Sequence, residues 1–295
     1  MVKVINNNFK RNICPFCGTS KISRLAPLHY KKPIKYSTVK VELSELPELW
    51  KCKACDSKFI QNAIPEDEAI KLYQCGDSGI RWSFSPMDAD KPKEILDNLR
   101  FNIKDSSILD IGASTGALLD FAKTLNCKTS GVEYSESARA VLNKKGHKVF
   151  SSFDEVEEKY DIITAFDLVE HLYDFNSFIT KCFNSLNKNG LLIILTGNPN
   201  CNTARLLGGK WWYYNFPEHV IFPSLQFFNL KISNFNLIKV VPTYNGLLYM
   251  SSNWLKFLKK FYLILKLEKA YQGIPSIGAD HNLYILKKIA YKEKL

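Results

Sequence analysis

From about residue 106 onward, short apolar runs alternate regularly with helical patterns. The strand-like runs are SSILDIGA, KTSGVEYS, HKVFSS, YDIITAFD and GLLIILTGN, and the helix-like stretches are GALLDFAKTL, SESARAVLNKK and FNSFITKCFNSL. Strands and helices in alternation form βαβ units, whose mainly parallel sheet is covered by helices on both faces. The pattern therefore predicts a doubly wound α/β fold, in which ligands bind beyond the carboxyl ends of the strands.

The stretch ILDIGASTGALLDF joins the first of these strands to the first helix. Asp110 ends the strand, and Gly112 and Gly116 let the backbone approach a ligand closely as the helix begins. Glu133 ends the second strand, where a carboxylate can accept hydrogen bonds from both hydroxyls of a ribose. Together the glycines and Glu133 predict a nucleoside-containing cofactor.

The spacing of this turn differs from that of a dinucleotide-binding fingerprint. That fingerprint is G-x-G-x-x-G, whereas here Ser114 takes the second glycine position and the last glycine comes one residue early. The segment from Asp110 to Gly116, together with Glu133, YDIITAFDLVEHLYD and KNGLLIILTGNPN, resembles the class I S-adenosylmethionine-dependent methyltransferases over about residues 95–290. The resemblance implies a seven-stranded Rossmann-like sheet and a methyltransferase activity.

The same resemblance implies S-adenosylmethionine as the cofactor and indicates which residues bind it. The glycines line its methionine part, Glu133 binds its ribose, and Tyr134 with the loop at Ser151 and Ser152 flanks its adenine. The expected cofactor-binding residues are Asp110, Gly112, Ser114, Gly116, Glu133, Tyr134, Ser152 and Asp167. A turn that serves only as scaffold is the alternative.

Four of the eight cysteines form two C-x-x-C pairs, made by Cys14 with Cys17 and by Cys52 with Cys55. Two thiolates two residues apart bind one ion from a tight turn, and two such pairs complete a closed tetrahedral zinc shell. We expect one structural Zn²⁺ per chain, with redox-active dithiols or cysteines without a function as the alternatives. The intervening PLHYKKPIKYSTVKVEL is expected to add strands.

These features predict three regions. Residues 1–75 form a zinc-binding module, residues 76–95 form a connection rich in Gly, Ser, Pro and Asp, and residues 96–295 form a methyltransferase domain. An aromatic-rich insertion around residues 200–275 is expected to bind the acceptor.

Two further segments resemble one particular group of these methyltransferases. FDLVEHLYD and WWYYNFPEHVIFPSLQFF look like the ubiquinone-methyltransferase-like group. Members of this group with a cysteine-rich zinc module resemble methyltransferases of sugar and secondary-metabolite pathways, including sugar C-methyltransferases. Those C-methyltransferases carry a further C-terminal domain, whereas the last strand here is expected at HNLYILKK. This difference favours oxygen over carbon as the acceptor atom.

Methyl transfer benefits from a base that removes the proton of the acceptor. His219 is the first candidate, with Glu218 beside it to orient the imidazole or to bind a substrate hydroxyl, and His171 is the second. A rival hypothesis places a divalent cation at Asp167, Glu170 and His171, where it polarises the acceptor oxygen. The remaining alternative is that these residues only support their loops.

Aromatic residues of the insertion are expected to bind the acceptor. Trp211 and Trp212 can stack on a sugar face, and Tyr213 and Tyr214 can supply hydroxyl contacts. The net charge of +11 favours anionic ligands. We therefore expect a small-molecule acceptor, such as a sugar, a nucleotide-linked sugar or another anionic metabolite of surface-glycan or natural-product biosynthesis.

Two other function classes stay open. An RNA methyltransferase that uses the zinc module for RNA contact is disfavoured, because the sequence has no concentrated Lys/Arg stripe and no Asn/Asp-Pro-Pro-aromatic signature. A non-catalytic partner subunit is disfavoured by the intact cofactor motif.

No run of 18 apolar residues occurs and the N-terminus lacks the apolar core of a signal peptide, which predicts a cytoplasmic protein without a membrane partner. The basic, apolar stretch at residues 253–272 fits a lid or a dimer contact better than a lipid surface. The sequence leaves monomer and homodimer open.

Overall fold

The computed structural model describes residues 2–8, 10–30, 34–36, 39–75, 103–230, 232, 234–243, 276 and 278–289. The predicted connection at residues 76–95 and the stretch at residues 253–272 lie outside these residues.

The N-terminal module contains six short strands and one helix. Their bounds are β1 (Val2–Ile5), β2 (Ile22–Pro27), β3 (Ile34–Tyr36), β4 (Val39–Leu43), β5 (Glu48–Cys52), β6 (Lys58–Gln61) and α1 (Glu66–Cys75). Strands β1, β4 and β3 form a mixed three-stranded sheet, and β2, β5 and β6 pair in antiparallel fashion. Strands β3 and β4 confirm the strands predicted between the two cysteine pairs.

The second part of the chain alternates strands with helices. Its regular elements are β7 (Ser107–Ile111), α2 (Ala117–Thr124), β8 (Lys128–Val132), α3 (Glu136–Lys144), β9 (Lys148–Phe150), β10 (Tyr160–Phe166), α4 (Phe175–Asn184), β11 (Leu186–Gly197), α5 (Asn202–Leu207), β12 (Ile221–Phe222), α6 (Leu225–Asn229), β13 (Phe235–Thr243) and β14 (His281–Lys288). Every strand and helix predicted from the alternating pattern is present.

Seven of these strands form one sheet in the order β13-β14-β11-β10-β7-β8-β9. Strands β9, β8, β7, β10 and β11 run parallel, and β14 is antiparallel to both of its neighbours. The chain therefore has the Rossmann-like doubly wound α/β fold that the sequence predicts. Strands β7 and β10 lie side by side where the order of strands reverses, so the turn that follows β7 opens at the expected ligand-binding edge.

The helices begin where side chains cap them. The Ser135 hydroxyl accepts a hydrogen bond from the Ala138 amide at the start of α3, and the Asp174 carboxylate does the same for Ser177 at the start of α4. Such caps satisfy amides that have no partner within the helix. The capped helices then bury apolar faces against the sheet, as α4 does with Phe175, Phe178, Ile179 and Cys182.

One hydrophobic core extends from the N-terminal module into the second part. Phe16 lies between two rings of the second part, with ring centroids 5.3 Å from Phe175 and 5.2 Å from Phe227. In addition, β12 pairs with β6, so that a strand from the predicted insertion completes a four-stranded sheet of the N-terminal module. The two parts are therefore packed together and also joined by a shared sheet.

Within the described ranges, no helix combines the length and the apolar content needed to cross a bilayer.

Candidate functional site

The turn after β7, residues 112–116, has an unusual backbone, and we call it the glycine turn. Gly112, Ser114 and Gly116 have positive φ angles of 79°, 48° and 85°. The backbone conformation favours glycine at position 116, where an added Cβ atom would also press on the end of the Leu142 side chain. Ser114 adopts the left-handed conformation at some cost in free energy. The middle position of the motif thus keeps a glycine-like backbone although its residue is serine.

Glu133 directly follows β8 and holds the glycine turn. Its carboxylate is buried, with 7% of the residue exposed, and it accepts hydrogen bonds of 2.8 Å from the amides of Ser114 and Ser135. These bonds fix a carboxylate at the carboxyl edge of the central strands, between the glycine turn and the start of α3. Such a carboxylate is suited to accept hydrogen bonds from a ribose.

Asp110 lies in β7, just before the glycine turn, and is buried with 6% exposed. Thr164 on β10 donates a hydrogen bond of 2.6 Å to its carboxyl group. Burial raises the pKa of Asp110 to about 7, and the nearby negative charge of Glu133 adds to the increase. The protonation of Asp110 therefore changes near neutral pH.

The other predicted cofactor residues lie at the same edge. The Glu133 amide donates to Phe150 at the end of β9, which brings Tyr134 close to the loop at Ser152. Tyr134 is 62% exposed, and Ser152 caps the 3-10 turn Phe153–Glu155. Asp167 follows β10, the other neighbour of β7, and has a φ of 47°. The structure therefore gathers the predicted cofactor residues around the carboxyl ends of β7, β8, β9 and β10.

Two histidines face each other next to this edge. His171 belongs to the 3-10 turn Val169–His171 after β10, and His219 belongs to residues 211–220, which we call the histidine loop. Their ring centroids are 4.7 Å apart and the rings are perpendicular. His171 Nδ1 lies 3.0 Å from the Glu218 carbonyl, and His219 Nδ1 lies 2.7 Å from the Tyr213 carbonyl. Because a carbonyl only accepts, each Nδ1 carries a proton and each Nε2 has a free lone pair when the ring is neutral.

The surroundings of His219 keep its ring neutral. Burial lowers its pKa well below the ordinary histidine value, and a positive charge on the adjacent His171 would lower it further. A neutral imidazole with a free Nε2 has the protonation state that a general base needs.

Glu170 ties the histidine loop to the end of β10. Its carboxylate is completely buried and accepts hydrogen bonds from the hydroxyls of Tyr213 and Thr196, the latter at 3.0 Å. Its carbonyl accepts a hydrogen bond of 2.7 Å from the Val220 amide. Burial also raises the pKa of Glu170. This carboxyl group is thus held inside the protein as a link between two segments of the site.

The possible metal ligands that lie together in the structure are not the same three residues as in the predicted cation site. The ligand atoms of Glu170, His171 and His219 lie within 4.8 Å of one another, and Asp167 is not in this group. Instead, Asp167 Oδ1 lies 3.5 Å from His281 Nε2. Both carboxylate oxygens of Glu170 accept hydrogen bonds, from Thr196 and from Tyr213. The divalent cation at Asp167, Glu170 and His171 stays a prediction.

Most aromatic residues of the histidine loop are buried in the core. Trp211, Tyr213 and Tyr214 are each only 1–2% exposed, and the Trp211 indole donates a hydrogen bond of 2.7 Å to Ser276. Trp212 is only partly buried, and its indole donates to Asp280 at 3.0 Å. Contacts between the tyrosines and the acceptor stay predictions, and among these rings Trp212 has the most exposed surface.

Sequence reasoning missed two threonines. Thr164 and Thr196 bind the buried carboxyl groups of Asp110 and Glu170, respectively. A single threonine within an otherwise apolar strand was the available signal, since a buried hydroxyl needs a polar partner. The ring of His281 lies 4.6 Å from that of Tyr213, between the carboxylates of Asp167 and Asp280.

The four cysteines of the C-x-x-C pairs form a compact group, which we call the cysteine cluster. Sγ of Cys14 lies 3.7 Å from Sγ of Cys55, and Sγ of Cys17 lies 3.6 Å from Sγ of Cys52. Zinc–sulfur bonds of about 2.3 Å in a tetrahedron place sulfur atoms about 3.8 Å apart. The residues thus fit a four-thiolate zinc site.

Comparison with known proteins gives the following matches. A family described as a methyltransferase domain matches residues 86–240. The ubiquinone biosynthesis O-methyltransferase of Bradyrhizobium diazoefficiens is 30% identical over 108 residues, which cover 34% of this chain and 43% of that protein. The protein of the same name from Bradyrhizobium sp. strain ORS 278 is 33% identical over the same shares of each chain. The chain thus spans less than half the length of these curated relatives.

Solved structures also match. Coclaurine N-methyltransferase bound to N-methylheliamine and SAH is 20% identical with a TM-score of 0.48, and the match covers 68% of this chain and 71% of that one. A putative S-adenosylmethionine-dependent methyltransferase from Listeria monocytogenes is 12% identical with a TM-score of 0.49, and the match covers 69% and 99% of the two chains.

Proposed function

Because this chain belongs to the methyltransferase-domain family, we propose that it transfers the methyl group of S-adenosylmethionine to an oxygen of a small-molecule acceptor. The observation that carries the proposal is the buried carboxylate of Glu133, which is bonded to the glycine turn at the carboxyl edge of the sheet. When bound, S-adenosylmethionine supplies an electrophilic methyl carbon attached to a sulfonium.

The cofactor half of the site consists of the glycine turn, Glu133, Tyr134 and Ser152. These residues bind the cofactor and orient it. Gly112 and Gly116 leave room for close approach of the backbone, and Glu133 receives the ribose hydroxyls in place of, or in addition to, its amide partners. Tyr134 and Ser152 flank the adenine. Orientation of this kind lowers the barrier because the methyl carbon is presented in line with the incoming oxygen.

The acceptor half of the site consists of His171 and the histidine loop. It removes a proton from the acceptor. Nε2 of His219 would accept the proton of the acceptor hydroxyl as that oxygen takes up the methyl group that the bound cofactor would supply. The Tyr213 carbonyl stabilises the imidazolium that forms, since it accepts a hydrogen bond from Nδ1. His171 is the second candidate for this base, and Glu218 holds it through its carbonyl.

The names of the matching relatives, ubiquinone biosynthesis O-methyltransferases, support oxygen as the acceptor atom. Two other observations support a sugar-like or anionic acceptor: the chain carries a net charge of +11, and the partly exposed indole of Trp212 offers a stacking surface. Nucleotide-linked sugars combine the anionic and the sugar-like property and are the acceptors to screen first.

We also propose that the cysteine cluster holds one structural Zn²⁺. The sulfur separations support a closed four-thiolate shell, which leaves no position for a substrate. The metal therefore contributes to the fold and not to the bond-making step.

Isothermal titration of the purified chain with S-adenosylhomocysteine and S-adenosylmethionine tests the cofactor assignment. We expect micromolar binding of both, and for Glu133→Ala and Glu133→Gln an affinity lower by about 10- to 100-fold, because a charge-assisted hydrogen-bond acceptor is lost. Glu136→Ala, an exposed change three residues away, is the matched control and should bind as the wild type does. Equal affinity of all four proteins would remove the ribose role from Glu133, and no binding by the wild type would overturn the proposed function.

A further inference from the structure

The histidine loop continues directly into the sheet of the N-terminal module. Strand β12 begins two residues after His219 and pairs with β6, with Ile221 opposite Phe59 and Phe222 opposite Lys58. The amide of Ile60 also donates a hydrogen bond of 2.9 Å to the carbonyl of Val220. The segment that carries the candidate base is therefore part of the same sheet as the strand that follows Cys55.

The second cysteine pair contacts the chain just beyond β12. We call the turn of residues 52–55 the cysteine knuckle. The Ser224 hydroxyl donates to the Cys55 carbonyl, and the Ser224 amide donates to the Ser57 hydroxyl at 3.1 Å. The Gln226 side chain donates to the Ala54 carbonyl at 2.7 Å. Ser224, two residues beyond β12, is completely buried and is bonded to a turn that also supplies two of the proposed metal ligands.

On its other side, the histidine loop is bonded to the end of β10. The Val220 amide donates to the Glu170 carbonyl at 2.7 Å, and His171 Nδ1 donates to the Glu218 carbonyl at 3.0 Å. His219 therefore lies between two attachments, one at β10 and one at the cysteine knuckle. The hydrogen bonds that hold Glu133, by contrast, run to Ser114 and Ser135, which belong to the glycine turn and the cap of α3.

We propose that the metal-loaded cysteine knuckle fixes the position of His219, and that Ser224 is the positioning residue that connects the two. The metal then acts on the acceptor half of the site and leaves the cofactor half unchanged. This inference rests on the proposed function, in which His219 is the base. It assigns the N-terminal module a part in acceptor chemistry without any contact between the metal and the substrate.

Hydrogen exchange and cofactor titration on the zinc-loaded full chain test this inference. In Ser224→Ala we expect amide exchange in the peptide spanning residues 217–224 to rise about tenfold, because the Ser224 hydroxyl no longer holds the knuckle or caps α6. S-adenosylhomocysteine affinity should stay within about twofold of the wild type. Zinc removal by a chelator should increase exchange in the same peptide.

Two further variants separate positioning from general loss of stability. Gln226→Ala removes only the exposed hydrogen bond to Ala54, so it keeps the fold and should raise exchange in the same peptide by a smaller factor. Ser135→Ala removes a helix cap in the cofactor half and should leave that peptide unchanged. A ¹⁵N spectrum of the His219 imidazole should show one Nδ1–H tautomer in the wild type and a mixture in Ser224→Ala.

The outcomes distinguish the two proposals. If the wild type binds S-adenosylhomocysteine but Ser224→Ala and Gln226→Ala leave exchange and tautomer unchanged, the positioning role is overturned and the proposed function stands. If zinc removal lowers cofactor affinity as strongly as it raises exchange at residues 217–224, the separation of the two halves is overturned. If no form binds the cofactor, the proposed function itself fails.

Discussion

Asp110 is a single carboxyl group whose ionisation is coupled to folding. The fold buries it next to β10, gives it one hydrogen bond from Thr164, and places it near Glu133. In the unfolded chain the same carboxyl group has a pKa of about 3.9. The unfolded chain therefore releases this proton at lower pH than the folded protein does, and ionisation near neutral pH favours unfolding.

We predict that the free energy of unfolding falls less in Asp110→Asn than in the wild type as the pH rises from about 4 to about 7. The wild-type free energy of unfolding falls in this window because the folded state still binds the Asp110 proton, whereas asparagine has none to release. Urea unfolding of both proteins without cofactor, at several pH values, measures their difference in free energy of unfolding. Groups that titrate alike in the two proteins do not contribute to this difference. Parallel curves for the two proteins would mean that Asp110 has an ordinary pKa.

His219→Ala should lower methyl transfer by about 10²- to 10⁴-fold, the typical contribution of a general base. Its affinity for S-adenosylhomocysteine should change little, because the hydrogen bonds of His219 lie in the acceptor half. Initial rates with an acceptor found by screening, together with titration calorimetry, separate the two effects. His171→Ala is the parallel variant, and the larger loss of rate identifies the base. Full activity of His219→Ala would exclude this residue from proton removal.

The elements of the sheet were predictable because their signals are local. Apolar runs of strand length and helical spacing between them located β7 to β11 and α2 to α4. Strand β12 has only two residues, which is too short to show an alternating pattern. Its partner β6 lies about 160 residues earlier in the chain, so no local pattern indicates their pairing. The burial of Trp211, Tyr213 and Tyr214 was also not predictable, because aromatic residues serve in cores and in binding surfaces alike.

One contact between elements deserves a direct test because it leaves no space for a side chain. A Cβ atom on Gly209 would overlap the carbonyl oxygen of Pro27 at the end of β2, and the Gly209 carbonyl accepts a hydrogen bond from the His29 amide. We expect Gly209→Ala to destabilise the protein by about 1–3 kcal/mol, as overpacking does. Leu206→Ala, at a side chain that is 85% exposed, is the control and should cost less than about 0.5 kcal/mol.

Urea unfolding midpoints measure both variants. If Gly209→Ala unfolds at the wild-type midpoint, then β2 does not pack against this turn in solution.

At the scale of the whole molecule, zinc binding should stabilise the fold. We predict about one zinc per chain by elemental analysis, and loss of that zinc in Cys14→Ser and Cys52→Ser, because each removes one of four thiolates. Both variants should unfold at lower denaturant concentration than the wild type. Cys127→Ser changes a thiol outside the cluster, which donates to the Ile103 carbonyl, and should keep the metal. Zinc retained by both cluster variants would overturn the four-thiolate site.

The shared core also determines which pieces of this protein can be exchanged with relatives. Phe16 fills the space between Phe175 and Phe227, and β12 supplies an edge strand to the N-terminal sheet. A chimera joined between the N-terminal module and the sheet that binds the cofactor would leave this aromatic cluster and β6 without their partners. The unit of recombination is therefore the N-terminal module together with residues 211–229, which are distant in sequence. A chimera that keeps the native packing must therefore exchange both segments at once.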